Sequence, residues 1–318
     1  MKPPKELLVV AEALGALCDK VAFVGGMVRG LLITDPAVEP ARPTDDVDAI
    51  IDVRDRPSYY RLSEQLRRLG FEESTEEDAP LCRWLVRGVK VDVMPIDPAI
   101  LGFSNVWYPS GITAVEEVRS GDILMRIVDA PHFVATKLEA FGSRGEGDFY
   151  HHDIEDVLAV IDGRGTLLDE LGRAPKDLRS FVAFEIATLL DDARFVEALP
   201  GHLPGDSANQ ARLPMLLSRL RAIAALRGEQ AQEVSAADEA ATATIANAVT
   251  WTLLRSSNLL AAAYDGTSST LTIEFRNRTV YVYDAVPQEI FSGLLKAASA
   301  GRYHHRWIRL RYRYRRIR

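Results

Sequence analysis

The chain has 318 residues, 47% hydrophobic and 26% charged, with a net charge of −7. This composition excludes collagenous, disulfide-built and intrinsically disordered classes, and the length calls for two or three units. No apolar run is long enough to cross a bilayer, so no membrane partner is expected and the protein is read as cytoplasmic. The first stretch, MKPPKELLVVAEALGALC, places Leu7, Val10, Leu14 and Leu17 on one helical face. Glu6 and Glu12 interrupt the apolar run that a signal peptide would need. Cys18 and Cys82 both lie in apolar contexts and read as small core residues of a reducing compartment.

The stretch from Val21 to Val53 carries the chemistry. A short apolar strand, Val21 to Val24, runs into Gly25-Gly26 and a helix start containing Arg29. A loop rich in proline follows, and a second strand then carries Asp46 and Asp48. Side chains alternate faces along a strand, so the two carboxylates project from one side. Glycine lets backbone approach an anion closely, and free N–H groups at a helix start point at it. Hard oxygen ligands beside such a turn suit Mg²⁺ bound to a nucleoside triphosphate.

These residues resemble the nucleotidyltransferase signature of the DNA polymerase beta superfamily. GGMVRGLL is similar to the GGxxR turn of CCA-adding enzymes. RPTDDVD is similar to the R-x-T/S-x-D-x-D stretch of AbiEii-type toxins of type IV toxin–antitoxin systems, with Arg42 and Thr44 matching. The resemblance runs to about Ile161. It implies an α/β nucleotidyltransferase fold, a mixed sheet with flanking helices, followed by a helical lobe. It also implies an NTP substrate, two Mg²⁺ ions and an antitoxin as protein partner.

Pro57 to Leu69 reads as a helix, Phe71 opens a short strand, and Glu72 to Asp78 is an acidic turn. Leu81 to Val86 and Val89 to Met94 read as a hairpin turning at Arg87-Gly88. Alternation in VKVDVMP puts Val89, Val91 and Val93 on one face and Lys90, Asp92 and Met94 on the other. A carboxylate in a half-buried strand is costly. Asp92 is either an edge acid facing water or, as the family resemblance favours, the third carboxylate of the site. Asp97, in a Pro-flanked turn, is the weaker candidate. Leu101 to Glu117 reads as irregular, with Trp107 and Tyr108 as pocket lining or packing, and Ile123 to Val128 as a strand.

From Pro131 the chain turns helical. PHFVATKLEAFGSR sets Lys137 in an otherwise apolar stripe, and a second helix from Phe149 to Ile161 places Asp153 and Asp156 one turn apart. Lys137 is either a snorkelling surface lysine or a site residue. The pattern K-L-x-A-x-x-x-R…D-x-x-D resembles the motif after the catalytic strands in AbiEii-like enzymes. That resemblance makes Lys137 a triphosphate contact and Asp153 an organiser of the site, with Arg144 and Asp156 in support. His151-His152-Asp153 lacks the further histidines and the downstream acid that a metal hydrolase needs. Leu167 to Leu199 and Ala211 to Leu226 read as amphipathic helices, and 229–247 as a linker.

After the linker the period changes again. LLRSSNLLAAAYD, TLTIEF and TVYVYDAV read as three strands, and Pro287 starts a helix through Ala298. Ser256, Ser257, Tyr264, Asp265, Phe275, Tyr281, Tyr283, Pro287, Ser299, Gly301 and Tyr303 resemble the pattern of the KTSC domain, a small α+β unit. The literal Lys-Thr-Ser-Cys letters are absent. The segment from Arg302 to Arg318 holds eight arginines and no acid, leaving 30 basic and 45 acidic groups elsewhere, a balance of −15. Its alternation of Arg with Tyr, Trp, Ile and Leu fits an edge strand with one solvated face. With no acid to balance it, the reading adopted is RNA contact through Arg306, Arg309, Arg311 and Arg313, with aromatic faces for bases.

The expected organisation is a nucleotidyltransferase lobe over 1–130, a helical lobe over 131–228, the linker, and a KTSC-like unit with basic tail over 248–318. The expected reaction moves a nucleotide from an NTP to a hydroxyl, with RNA, such as a tRNA 3′ end, as acceptor. Asp46, Asp48 and Asp92 would hold Mg²⁺, while Gly25, Gly26, Arg29, Thr44, Lys137 and Asp153 would hold the nucleotide. An antibiotic-type small-molecule transferase and a non-catalytic RNA-binding protein are the rivals. A CCA-adding enzyme would need a later base-reading stretch, and FEIATLLDDARF, the nearest, lacks the pattern.

Overall fold

The computed structural model describes residues 2–38, 44–77, 79–145, 147–226, 251–254, 256, 259–275, 280–297, 300–309 and 311–316. Arg42 and the linker expected at 229–247 lie outside the described residues. By contact the chain divides into two compact units. One comprises Met1–Ala140, Tyr150–Ala187 and Glu197–Leu226; the other comprises Phe141–Phe149, Thr188–Val196 and Arg227–Arg318.

The first unit is built on a mixed seven-stranded sheet. Its strands are β1 (Val21–Val24), β2 (Asp46–Ile51), β3 (Glu72–Glu73), β4 (Arg83–Val86), β5 (Val89–Pro95), β6 (Val115–Ser120) and β7 (Ile123–Val128), in the order β3-β4-β5-β2-β1-β7-β6. β2 runs parallel to β5 and β1 parallel to β7, while β1–β2, β4–β5 and β6–β7 are antiparallel. The central strands are buried because their residues are apolar on both faces: Phe23, Val47, Ile50, Val91 and Ile127 are each fully inside.

Local chemistry sets the element ends. The helix α1 (Lys5–Leu14) buries Leu7, Val10 and Leu14 and stops at Gly15, whose φ is +53°. The helix α2 (Arg56–Arg68) starts where Asp55 accepts a hydrogen bond from the Ser58 amide at 2.7 Å, with Pro57 in its first turn. The β4–β5 hairpin turns through Arg87 (φ +49°) and Gly88 (φ +79°), the paired left-handed residues of a tight two-residue turn.

Two expectations are corrected along the chain. The segment expected to be irregular up to Glu117 contains a short helix, Tyr108–Gly111, and the edge strand β6. The helical stretch from Leu167 to Leu199 is three helices, Leu167–Arg173, Lys176–Leu190 and Ala193–Ala198, interrupted at Pro175 and at Asp191-Asp192. The remaining helices that matter here are α3 (Ala130–Arg144) and α4 (His152–Gly163). No helix among the described residues is long and apolar enough to cross a membrane.

The second unit contains a five-stranded antiparallel sheet of Trp251–Leu253, Leu259–Asp265, Thr270–Phe275, Val280–Tyr283 and Tyr314–Arg316, with a helix over Gln288–Lys296. Tyr264 donates a hydrogen bond to the Val286 carbonyl at 2.7 Å and stacks on Phe291 at 5.1 Å. Asp265 accepts from the Thr267 amide and the Ser268 hydroxyl, closing the turn between two strands. The Tyr283 hydroxyl meets Nε2 of His304 at 2.7 Å in the buried interior.

Candidate active site

Each acid of the expected site is placed by strand register. Asp46 and Asp48 leave β2 on one face, two residues apart. In the parallel β2–β5 ladder Asp48 stands opposite Asp92. In-register neighbours point to the same side of a sheet, so Asp92 joins the other two. The convergence can be read from a shared partner. Arg83, on β4, donates Nε to Oδ1 of Asp92 at 2.8 Å and Nη2 to Oδ2 of Asp92 at 2.8 Å. The same Nη2 reaches Oδ2 of Asp46 at 2.9 Å.

Arg83 was not among the residues singled out from the sequence. The two-residue turn at Arg87-Gly88 fixes the hairpin register, and counting back from it pairs Arg83 with Asp92, as observed. That count was the available signal. The paired carboxylates, Asp92 foremost, raise the Arg83 pKa above its ordinary value.

The glycine turn lies against the same carboxylates. Val24, the last residue of β1, pairs with Asp48, and Gly25 follows with φ +73°. A Cβ built on Gly25 would fall 1.9 Å from Oδ2 of Asp48. One on Gly26 would fall 2.7 Å from Cγ2 of Thr44 and 3.6 Å from Oδ2 of Asp156. Glycine is thus required twice over, for conformation at residue 25 and for space at both. Thr44 donates its hydroxyl to Sδ of Met27 and covers the turn. The expected helix start is a 3₁₀ turn, Gly26–Val28, leading into one α-helical turn, Arg29–Leu32.

Beneath the turn lies a buried ion network. Arg29 reaches Asp156 at 2.8 Å and Glu155 at 3.3 Å. Lys137 reaches Asp156 at 2.7 Å and Asp153 at 3.1 Å. Asp153 and Asp156 are wholly buried, and Arg29 and Lys137 nearly so. Spacing i, i+3 on α4 puts both acids on one face, where α3 supplies the lysine and the turn supplies the arginine. Lys137 is therefore a buried residue and not a snorkelling one. Asp156, assigned a supporting place from the sequence, is the acid that both cations share.

Several other residues find local roles. Asp97 caps the short helix Pro98–Leu101 through the Ala99 amide at 2.8 Å. Trp107 packs on Phe181 at 5.1 Å between ring centroids. His151, His152 and Asp153 bring one ligand atom each within 4.8 Å of one another. The Lys137 ammonium already occupies Asp153, which sets a positive charge where a cation would bind. Both cysteines are buried, with the Cys82 thiol pushed up to about 12, first by burial and then by the Asp92 carboxylate. Such a thiol stays protonated and inert.

In the second unit the basic segment departs from a single alternating strand. It forms a helix, Ala300–His304, a π turn, His305–Arg309, and only then the edge strand Tyr314–Arg316. Arg309, expected to face RNA, is buried, and burial lowers its pKa to about 10. The helical winding of this stretch replaces the strand, so the i, i+2 reading does not apply. Arg311 and Arg313 are exposed, and the Arg311 guanidinium lies 4.6 Å from the Trp307 ring centroid. The side chain of Arg306 lies outside the described residues.

A set of three carboxylates from adjacent strands is a hard-oxygen donor set of the sort that holds Mg²⁺. With a cradle beside it that any Cβ would fill, the residues fit a metal-bound polyphosphate.

Comparison with known proteins finds the following similarities. A nucleotidyltransferase-like antigenic protein from Paracoccidioides brasiliensis is similar at 19% identity, covering 68% of this chain and 92% of that one, with a TM-score of 0.39. JHP933 from Helicobacter pylori is similar at 12% identity, covering 71% and 92%, with a TM-score of 0.37. Residues 255–312 match the KTSC domain family. Over 65 residues, 20% of this chain, a protein of Stutzerimonas stutzeri (strain A1501) is 40% identical and is 92% covered. The KTSC domain protein YPO2434 from Yersinia pestis is 30% identical, covering 22% of this chain and 100% of that one, with a TM-score of 0.22.

Proposed function

We propose that this chain, which belongs to the KTSC family through its C-terminal domain, is a divalent-cation-dependent nucleotidyltransferase that moves a nucleotide from an NTP to a hydroxyl of RNA. One observation carries the reading: Asp46, Asp48 and Asp92 share a face of the sheet, with Arg83 bridging Asp46 and Asp92 and Gly25 against Asp48. Asp46, Asp48 and Asp92 would hold Mg²⁺, which when bound neutralises phosphate charge and activates the attacking hydroxyl.

The remaining roles belong to the chain. Gly25 and Gly26 leave room for phosphate oxygens to approach the backbone N–H groups. Arg29 and Lys137 neutralise Asp153 and Asp156 under that turn, so its floor does not repel the polyphosphate. Asp92, nearest in register to Asp48, is the acid we assign to take the proton of the attacking hydroxyl at a carboxylate oxygen.

RNA as acceptor rests on Arg311 and Arg313, two exposed arginines in a segment with no acid. The resemblance to AbiEii-type toxins makes a tRNA 3′ end the first acceptor to test and a small antitoxin the first protein partner. The experiment supplies Mg²⁺ and labelled NTPs with total tRNA, or with small hydroxyl compounds, to wild type and Asp48→Ala. Incorporation into tRNA by wild type alone supports the proposal. Equal incorporation by both proteins removes it, and transfer only to small compounds moves the acceptor to the antibiotic-modifying class.

A further inference from the structure

Arg83 lies at the centre of the carboxylate face, and the reaction above gives it no part. Its side chain is 18% exposed, beside Asp46 at 38% and Asp92 at 10%. It spends both Nε and Nη2 on Asp92 and reaches Asp46 with the second, three contacts between 2.8 and 2.9 Å. A guanidinium is a planar fork matched to a carboxylate, and the same fork matches phosphate. Two strand carboxylates brought this close repel unless a cation stands between them. Arg83 supplies that charge from the neighbouring hairpin arm.

A divalent ion coordinated by Asp46 and Asp92 would have to approach the same oxygens that Arg83 now holds. We infer that Arg83 is a resident counter-ion of the site, competing with divalent cations for Asp46 and Asp92 and yielding when one binds. The inference rests on the nucleotidyltransferase reading for the identity of the cation. Its physical content is electrostatic. Before the metal arrives the guanidinium offsets the repulsion between Asp46 and Asp92 on neighbouring strands. Once displaced, it is a bidentate donor beside an entering polyphosphate. The chain would then bind bare metal weakly and take it up best together with a nucleotide.

The test uses Mn²⁺ alone, without nucleotide, titrated by electron paramagnetic resonance into the full chain as wild type, Arg83→Met, Arg83→Lys and Asp48→Ala. Arg83→Met should bind Mn²⁺ about tenfold tighter than wild type, equivalent to roughly 1.4 kcal/mol. Arg83→Lys, which keeps a charge there, should fall between the two. An Arg83→Met protein that is folded by circular dichroism yet binds Mn²⁺ no tighter overturns the inference. A measurement on wild type alone guards against a variant that does not fold. Saturating Mg²⁺ should shift the ¹⁵Nε resonance of Arg83 and speed its hydrogen exchange, and an unchanged signal also overturns the inference. Asp48→Ala separates the two levels. If it binds Mn²⁺ as well as wild type, the three-carboxylate reading fails, while the Arg83 inference, which concerns Asp46 and Asp92, is decided by Arg83→Met. If it binds more weakly while Arg83→Met is unchanged, only the inference about Arg83 fails.

Discussion

Asp48 of β2 and Asp92 of β5 stand opposite one another in a parallel ladder, although 44 positions separate them in the sequence. Parallel neighbours in register present their side chains to one face, so this pairing is what turns three scattered acids into one donor set. A slip of one residue would send Asp92 to the opposite, apolar face. The hydrophobic alternation of Val89, Val91 and Val93 guards against that slip, because it would put Lys90 and Asp92 among apolar side chains.

Gly25 should be intolerant of any side chain. Gly25→Ala forces a residue with a Cβ into φ +73° and drives that atom into Oδ2 of Asp48. A stability loss on the order of 1–3 kcal/mol is expected from the backbone alone. Nucleotide incorporation should vanish with it. Gly172→Ala, where an added Cβ meets nothing within 4 Å, should be neutral or stabilising. Urea unfolding and incorporation on the same preparations compare the two, and a fully active Gly25→Ala would contradict the cradle.

Lys137→Met removes one of the two cations that hold the buried acids Asp153 and Asp156. Breaking a buried pair by deleting one partner costs about 3–5 kcal/mol, because a charge is left uncompensated. Thermal melting should therefore fall by many degrees. Lys137→Met with Asp153→Asn should recover part of the loss. A melting temperature unmoved by Lys137→Met would mean that the network is not formed.

Alkaline pH should destabilise the protein through its thiols. Burial pushes Cys18 to about 11 and Cys82 to about 12, against an ordinary value of 9.0. Between pH 9 and these values the unfolded chain releases protons that the folded chain keeps, so the unfolded state binds fewer protons and stability falls as pH rises. Below pH 9 the contribution is fully present. Denaturant midpoints should drop from pH 9 upward in wild type and drop less in a Cys18→Ala, Cys82→Ala protein. Native-state labelling by a thiol reagent at pH 8 should be slow for both cysteines.

Within the basic segment, arginines should divide by burial. Arg311→Gln with Arg313→Gln should weaken RNA binding and flatten its salt dependence by about 0.7 per lost phosphate contact on single strands. Arg309→Gln, at a buried position, should instead lower the melting temperature and leave the salt slope alone. Filter binding over a salt series measures the first and differential scanning the second. A salt slope unchanged by the Arg311 and Arg313 substitutions would remove them as RNA contacts.

The strand β1, the strand β7 and the turn at Arg87-Gly88 were legible residue by residue, since each is specified within a few positions by apolar runs and left-handed turn residues. The edge strand β6, VEEVRS, was not, because a half-exposed edge carries little of the hydrophobic alternation that marks a strand. Asp46 and Asp48 announced themselves by a spacing of two, and their common face follows from strand geometry alone. What the chain order could not give was company. That Arg83 would reach Asp46 as well as its hairpin partner Asp92, and that Asp156 would take both Lys137 and Arg29, were decided only when distant segments packed. Local periodicity is a property of a few neighbouring residues and is written into them; the partner of a buried charge is fixed by whichever remote segment the sheet and helices bring to it.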